Sequence, residues 1–157
     1  MKQTTLHKIY KMVASLGPIG HLSASGTWGS LVALPFAWIL AGSIGLPALA
    51  ILAFIVGGII ISPLIQGETQ KDPSFVIIDE FMGQLLVFSF ISKECMSPVI
   101  LVFGFLFFRL FDILKPWPAS FFDKKIHTSW GVMLDDLVAA IYAMILLAFL
   151  IIISYNA

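Results

Sequence analysis

The sequence predicts an all-α, polytopic membrane protein with about five transmembrane helices and an amphipathic helix at the N-terminus. The chain has 157 residues, of which 59% are hydrophobic and only 11% charged, whereas about a quarter of the residues in an average soluble domain are charged. Apolar runs separated by short polar or Gly- and Pro-containing stretches follow one another from residue 31 to residue 153. The length predicts one domain over residues 1–157, made of an interfacial helix (1–20) and a helical bundle (29–153).

Residues 1–20 have the pattern of a basic amphipathic helix that lies on a membrane surface. Lys2, Lys8 and Lys11 supply positive charge suited to an anionic surface. Apolar residues recur on the other face at helical spacing: Leu6, Ile9, Tyr10, Val13 and Leu16. Gly17-Pro18 is expected to end this helix.

A small-residue loop is predicted from His21 to Ser30. Its glycines permit close backbone approach, and the hydroxyls of Thr27 and Ser30 next to a helix start favour an anion. An ordinary turn and helix cap would use the same residues, so both interpretations stay open.

Five apolar segments are the predicted transmembrane helices, at residues 29–42, 47–65, 75–92, 98–114 and 132–153. The first is short against the roughly 20 residues that a bilayer requires, so we expect it to cross with little tilt or to be sheltered by its neighbours. Polar connections are expected at residues 66–75, 93–97 and 115–131. Pro116 ends the fourth helix, because the residue before a proline is disfavoured in helical conformation.

The distribution of basic residues predicts the orientation. With five spans and the N-terminus inside, eight of the nine Lys and Arg residues face the cytoplasm and only Lys93 lies outside. The charge distribution therefore predicts a multi-pass membrane protein with a cytoplasmic N-terminus. A net charge of zero gives no bulk attraction to nucleic acid. The single cysteine, Cys95, excludes an intrachain disulfide and a cysteine-based metal site.

Three charged clusters fall at cytoplasmic helix ends in this topology: Asp79-Glu80, Arg109 with Asp112 and Lys115, and Asp135-Asp136. Ionisable groups at such positions are rare and usually functional. Carboxylate oxygens are the ligands that Mg²⁺ prefers, together with water and substrate phosphate oxygens. Hence we expect the three clusters to meet in one pocket that handles a phosphate with Mg²⁺.

Individual roles follow from side-chain chemistry. Arg109 can hold a phosphate with two parallel hydrogen bonds, Lys115 adds a nearby point charge, and His127 could donate a proton to a leaving alkoxide. Structural interpretations also stay open. Arg109 and Asp112 at i, i+3 could form a plain intrahelical ion pair, and Asp135-Asp136 could simply favour a helix N-terminus.

Several phosphatase mechanisms do not fit the sequence. A cysteine nucleophile is not expected, because no arginine follows Cys95 by five residues. The absence of an Asp-x-Asp motif argues against an aspartyl-phosphate intermediate. A single arginine cannot build the lipid phosphatase site that uses two arginines and two histidines. Two mechanisms stay open: attack on phosphorus by water with the help of a metal, and attack on phosphorus by one of the carboxylates.

Three sequence blocks resemble those of the phosphatidylglycerophosphatase A family, Mg²⁺-dependent bacterial membrane enzymes that remove the terminal phosphate of phosphatidylglycerophosphate. The blocks are Gly26-Thr27-Trp28-Gly29-Ser30 with Pro35, residues 76–83 around Asp79-Glu80, and residues 108–136 with Arg109, Asp112, Lys115-Pro116-Trp117-Pro118, Asp123, His127, Gly131, Met133 and Asp135-Asp136. The sequence departs from the family at Ser25, at Thr128-Ser129 and at Ala140. The resemblance covers about residues 17–140 and implies that the charged residues form the catalytic site. It also implies a location in the bacterial cytoplasmic (inner) membrane.

The expected site consists of two overlapping sets of residues. Catalytic residues, including the five carboxylates expected to ligate Mg²⁺, are Asp79, Glu80, Arg109, Asp112, Lys115, Asp135 and Asp136. Substrate-binding residues are Thr27, Ser30, Arg109, Lys115, Asp123 and His127. The expected partners are an anionic phospholipid substrate and the membrane, and self-association into a homo-oligomer stays open. An ion-coupled transporter is the alternative, although no internal repeat is evident. A non-catalytic membrane scaffold is the third interpretation.

Overall fold

The fold is all-helical in the computed structural model, which describes residues 2–66 and 73–156, with side chains for residues 5–66 and 73–154. Glu68, Lys71 and Asp72 of the predicted polar connection lie outside the described residues, as does the side chain of Lys2. The described part contains no strand and seven α-helices: α1 (Lys2–Ala14), α2 (Ser25–Leu40), α3 (Gly45–Ile65), α4 (Ile78–Phe88), α5 (Pro98–Leu114), α6 (Ala119–Lys125) and α7 (Ser129–Asn156). The predicted all-α class is confirmed. A short 3₁₀ helix, Ile19–His21, follows α1.

Helix α4 is the centre of the bundle. It packs against α2, α3, α5 and α7, and nine of its eleven residues are buried. Its start is fixed by the chain around it, because the Ile77 N–H donates to the Ala14 carbonyl at the end of α1 over 2.9 Å. The central helix therefore carries Asp79 and Glu80 into the interior on its first turn.

Helix α5 has well-defined ends. Ser97 accepts a hydrogen bond from the Ile100 N–H at 3.3 Å, and Pro98 occupies the first turn, a combination that favours helix initiation. At the other end, Lys115 adopts a left-handed backbone conformation (φ 43°) and its N–H donates to the Phe111 carbonyl. The left-handed cap turns the chain at the charged end of α5.

Several predicted boundaries are wrong. Helix α2 begins at Ser25 rather than residue 29, because its small residues allow close packing on α4 instead of forming a loop. The helix expected over residues 75–92 spans only Ile78–Phe88, since Pro73 and the turn after it precede α4. The expected loop 115–131 contains α6, which starts directly after Pro118.

Two helices are long and apolar enough to cross a membrane, α3 and residues 129–154 of α7. Helix α2 is apolar but shorter, with 16 residues. Helix α4 has eleven residues and a length of about 16 Å, which is about half of a bilayer core. The expectation of about five spans therefore stays a prediction.

A large apolar surface is exposed around the bundle. Ile39 is 70% exposed, Ile44 85% and Ile113 71%. On α1, Leu6, Ile9 and Met12 are also exposed. Exposed apolar area of this extent is typical of surfaces that face lipid or another protein.

Candidate functional site

An acidic cluster connects the start of α4 to the start of α7. Asp79 and Glu80 come from α4 and Asp136 from α7, and one carboxylate oxygen of each lies within 4.8 Å of the other two. Asp79 and Asp136 are each only 4% exposed. The sequence places these residues more than 50 positions apart, and packing of α4 against α7 brings them together. We call Asp79, Glu80 and Asp136 the acidic cluster.

Two further carboxylates surround this cluster. The charges of Asp112, at the end of α5, and of Asp135 both act on Asp136. Asp112 also acts electrostatically on Asp79. All five carboxylates expected from the sequence to ligate Mg²⁺ are therefore neighbours in the fold.

Arg109 is the cation next to the cluster. Its Nη1 atom lies 2.6 Å from Asp112 Oδ2, so the intrahelical ion pair considered from the sequence is present. The same nitrogen lies 3.5 Å from Ser30 Oγ on α2. Ser30 is fully buried and donates to the Gly26 carbonyl at 3.1 Å, which fixes its hydroxyl. Residues of α2 and α5 thus both contact the same guanidinium nitrogen.

Lys115 is engaged by two other carboxylates. Its Nζ lies 2.8 Å from Asp123 Oδ1 on α6 and 2.5 Å from Asp135 Oδ2 on α7. Partial burial disfavours the charged form, but the Asp135 carboxylate and the hydrogen bonds to Asp123 and Asp135 raise the pKa of Lys115 above its usual range. Lys115 is therefore protonated at neutral pH and joins the end of α5 to α6 and α7.

Asp135 and its neighbour Asp136 differ in what satisfies their oxygens. Asp135 Oδ1 accepts the Asp136 backbone N–H at 3.0 Å and Oδ2 pairs with Lys115. By contrast, Asp136 Oδ2 and Asp79 Oδ1 are buried without a hydrogen-bond partner. A buried carboxylate oxygen that lacks a partner is costly, so these atoms are the ones suited to a cation.

The donor set fits a hard divalent cation. All three residues of the acidic cluster offer carboxylate oxygens, which suit Mg²⁺ better than softer metals. The five neighbouring carboxylates also exceed the two cations, Arg109 and Lys115, that contact them. An added positive charge would relieve that imbalance.

Two glycines of α2 let the helix approach this site. A Cβ on Gly26 would overlap Glu80 Oε1 and would lie 3.2 Å from Arg109 Nη1. A Cβ on Gly29 would lie 2.8 Å from the Ile77 carbonyl. The sequence suggested close backbone approach at these glycines, and the structure assigns it to contact between helices.

The other predicted substrate-binding residues, Thr27, Asp123 and His127, are not members of the acidic cluster. Thr27 follows Gly26 on the first turn of α2 and is partly exposed. Asp123 pairs with Lys115. His127 is exposed between α6 and α7, and among residues 2–66 and 73–156 no hydrogen bond or ion pair joins it to the carboxylates.

Sequence reasoning missed Gln84. It lies one turn after Glu80 on α4, is 0% exposed, and neither polar atom of its amide has a hydrogen-bond partner. A buried amide without partners destabilises a fold by about 1–3 kcal/mol per group. The available signal was an amide residue in the apolar part of the helix, four positions after a carboxylate.

Comparison with known proteins gives a consistent result. Residues 12–151 match the family described as phosphatidylglycerophosphatase A. A Haemophilus influenzae protein named phosphatidylglycerophosphatase A is 33% identical over 92% of this chain and 89% of its own length. An Escherichia coli protein of the same name is 32% identical over 80% of this chain and 73% of its own. A Bacteroides thetaiotaomicron protein with the provisional name phosphatidylinositol-3-phosphatase is 31% identical over 84% of this chain and 80% of its own. No solved structure matches the chain.

Proposed function

This chain belongs to the phosphatidylglycerophosphatase A family and is a phosphoric monoester hydrolase, and we propose that it removes the terminal phosphate of phosphatidylglycerophosphate. The products are phosphatidylglycerol and phosphate. The observation that carries this proposal is the convergence of the acidic cluster with Arg109, the one arginine of the chain. A phosphate monoester needs both a charge-complementary pocket and an activated nucleophile, and these residues offer both.

Asp79, Glu80 and Asp136 are the residues that would hold Mg²⁺. When bound, the ion would supply Lewis-acid stabilisation of phosphoryl oxygen charge and would favour an ionised water nucleophile. This assignment is narrower than the five ligands expected from the sequence, because Asp112 pairs with Arg109 and Asp135 pairs with Lys115.

Arg109 would bind the terminal phosphate. Its Nε is buried without a hydrogen-bond partner, and a guanidinium edge can contact two phosphate oxygens at once. Asp112 and Ser30 both contact its Nη1 atom and so restrict its orientation. The acidic cluster would repel a phosphate dianion by itself, so Arg109 is needed to offset that repulsion.

The hydrolytic step transfers the phosphoryl group to water. Oxygen of the water forms the new bond to phosphorus, a carboxylate of the site accepts the water's proton, and the bond from phosphorus to the glycerol oxygen breaks. The leaving oxygen takes a proton. His127 remains a predicted donor for it, and its exposed loop position would require it to approach with substrate bound.

We place the enzyme in the bacterial cytoplasmic membrane as a multi-pass protein with its active site on the cytoplasmic side. Two apolar helices of sufficient length and the large exposed apolar surface support membrane insertion. The sidedness rests on the excess of basic residues in the predicted cytoplasmic segments. The transporter alternative gains no support from the related proteins, which are named as phosphatases.

Phosphate release from purified protein in detergent micelles tests the proposal. Phosphatidylglycerophosphate should be hydrolysed, EDTA should stop the reaction, and added Mg²⁺ should restore it. Phosphatidylinositol 3-phosphate is the competing substrate, because the name of the Bacteroides relative points to it. Faster hydrolysis of that lipid would overturn the substrate assignment, and activity that resists EDTA would overturn the metal assignment.

A further inference from the structure

A polar cleft borders the first turn of α2 at Ser25, the residue before the glycine that packs against Glu80. Its volume is about 530 Å³, and its lining includes Lys11, His21, Ser23, Ser25, Ser74 and Phe75. We call it the Lys11 cleft. None of its residues belongs to the acidic cluster, so the hydrolytic chemistry leaves its charge unexplained.

The lining is suited to an anion. Lys11 Nζ lies 4.6 Å from the centre of the Phe75 ring, and the His21 ring centre lies 5.9 Å from it. Phe75 therefore holds a cation and an imidazole at the same cleft. Within residues 2–66 and 73–156 no carboxylate pairs with Lys11.

Position links the cleft to the active site. Ser25 lines the cleft, and its hydroxyl donates to the Ser74 carbonyl at 2.5 Å. The next residue, Gly26, packs against Glu80 and Arg109. A ligand that reaches across a single residue of α2 would contact both places.

Phosphatidylglycerophosphate has the matching chemistry. It carries a terminal phosphate monoester and, across one glycerol unit, a phosphodiester with its own negative charge. We propose that the Lys11 cleft binds the phosphodiester of the lipid while Arg109 and the acidic cluster take the monoester. This inference rests on the proposed function and names the part of the enzyme that selects a lipid with two phosphates.

The location on α1 also fits a lipid ligand. Leu6, Ile9 and Met12 on the same helix are exposed and apolar. A helix with this pattern lies at the level of lipid headgroups. The phosphodiester, which is attached to the acyl-bearing glycerol, would meet Lys11 at that level.

Inhibition measurements separate the two phosphate sites. With phosphatidylglycerophosphate as substrate in neutral detergent micelles, phosphatidylglycerol presents only the diester and inorganic phosphate mimics only the monoester. The Lys11→Gln variant should weaken inhibition by phosphatidylglycerol about tenfold, the effect of one charge-assisted hydrogen bond. Inhibition by inorganic phosphate should not change. Lys11→Arg, which keeps the charge, should restore the wild-type value.

Lys8→Gln is the matched control, because it removes a lysine of the same helix that does not line the cleft. It should leave both inhibition constants unchanged. An equal effect of Lys8→Gln and Lys11→Gln, no effect of Lys11→Gln, a parallel loss of both inhibitors, or a wild-type enzyme that phosphatidylglycerol does not inhibit would each overturn the inference. In all these cases the wild-type enzyme still hydrolyses phosphatidylglycerophosphate. A wild-type enzyme that does not hydrolyse it overturns the proposed function and this inference together.

Discussion

The buried carboxylates of the acidic cluster do not stabilise the fold, so their presence needs another explanation. Asp79 and Asp136 are almost completely buried, and placing such charges side by side in a low-dielectric interior costs several kcal/mol per ion unless a partner compensates. Each has an oxygen without a hydrogen-bond partner. Residues that destabilise the fold in this way are expected to be kept for function.

Replacing either of these residues by asparagine should therefore lower activity without loss of the fold. We expect Asp79→Asn and Asp136→Asn each to reduce kcat/KM by about 10²-fold or more, since each removes a charge on which the reaction depends. The melting temperature in detergent should stay the same or rise, because repulsion within the acidic cluster falls. Phosphate release and thermal unfolding measure the two effects.

Glu94→Gln is the control for those variants. Glu94 is an exposed carboxylate in the turn between α4 and α5, away from the acidic cluster. Its substitution should change neither quantity. Wild-type activity in Asp79→Asn or Asp136→Asn would remove that residue from the catalytic site.

The sequence identifies the charged residues but not how they pair. Asp79, Glu80 and Asp136 are conspicuous because they interrupt apolar segments. In contrast, the choice between Asp135 and Asp136 as the residue that pairs with Lys115 depends on the angle at which α7 meets α5. That angle cannot be predicted from the sequence around Asp135 and Asp136.

Helix α2 shows how an element positions a site without contributing charge. Its first turns pack against α4 at Gly26 and Gly29 and hold Arg109 through Ser30. Sequence reasoning read the same small residues as a loop, because small residues are common in both turns and tight helix contacts. Only the presence of α4 on the other side distinguishes the two.

Gly26→Ala tests this packing. The added Cβ would overlap the Glu80 carboxylate and press on Arg109, so we expect kcat/KM to fall about 10- to 100-fold through misplacement of these groups. Gly45→Ala at the start of α3 is the matched control, since its Cβ would meet only the Ser43 and Leu40 side chains at 3.3 and 3.5 Å. Comparable activity of the two variants would contradict the role given to α2.

The bounds of α4 and the presence of α6 could not be predicted from the pattern of apolar residues. The apolar segment around α4 continues to Ile91, yet the helix ends at Phe88 and the chain turns. The seven residues of α6 look polar enough for a loop. Both outcomes are set by packing against the rest of the bundle, which overrides local propensity.

For the whole molecule, the apolar composition indicated an apolar environment, and the pattern of apolar runs indicated an all-helical fold. The helical class was predictable because the apolar runs are long and separated by Gly, Pro and polar residues. The number of membrane crossings is harder to predict from apolar runs, because helix α4 is shorter than its apolar segment and is buried by its neighbours. The expectation of about five crossings therefore stays a prediction.

Cysteine accessibility tests the predicted topology. In a Cys95→Ser background, Glu94→Cys should react with a membrane-impermeant maleimide added to intact spheroplasts, since the turn between α4 and α5 is predicted to lie outside. Lys125→Cys, at the end of α6, should react only after the membrane is opened. Both positions are exposed in the fold, so a difference in labelling reports the side of the membrane and not burial within the protein. The reverse labelling pattern would invert the topology.

Binding of Mn²⁺, a paramagnetic substitute for Mg²⁺, to the purified protein tests the central claim most directly. If Asp79, Glu80 and Asp136 form one site, electron paramagnetic resonance titration should show that Asp79→Asn and Asp136→Asn each weaken binding about tenfold or more, while Glu94→Gln binds as the wild type does. Equal Mn²⁺ affinity in all four proteins would contradict the claim that carboxylates from α4 and α7 share a metal ion.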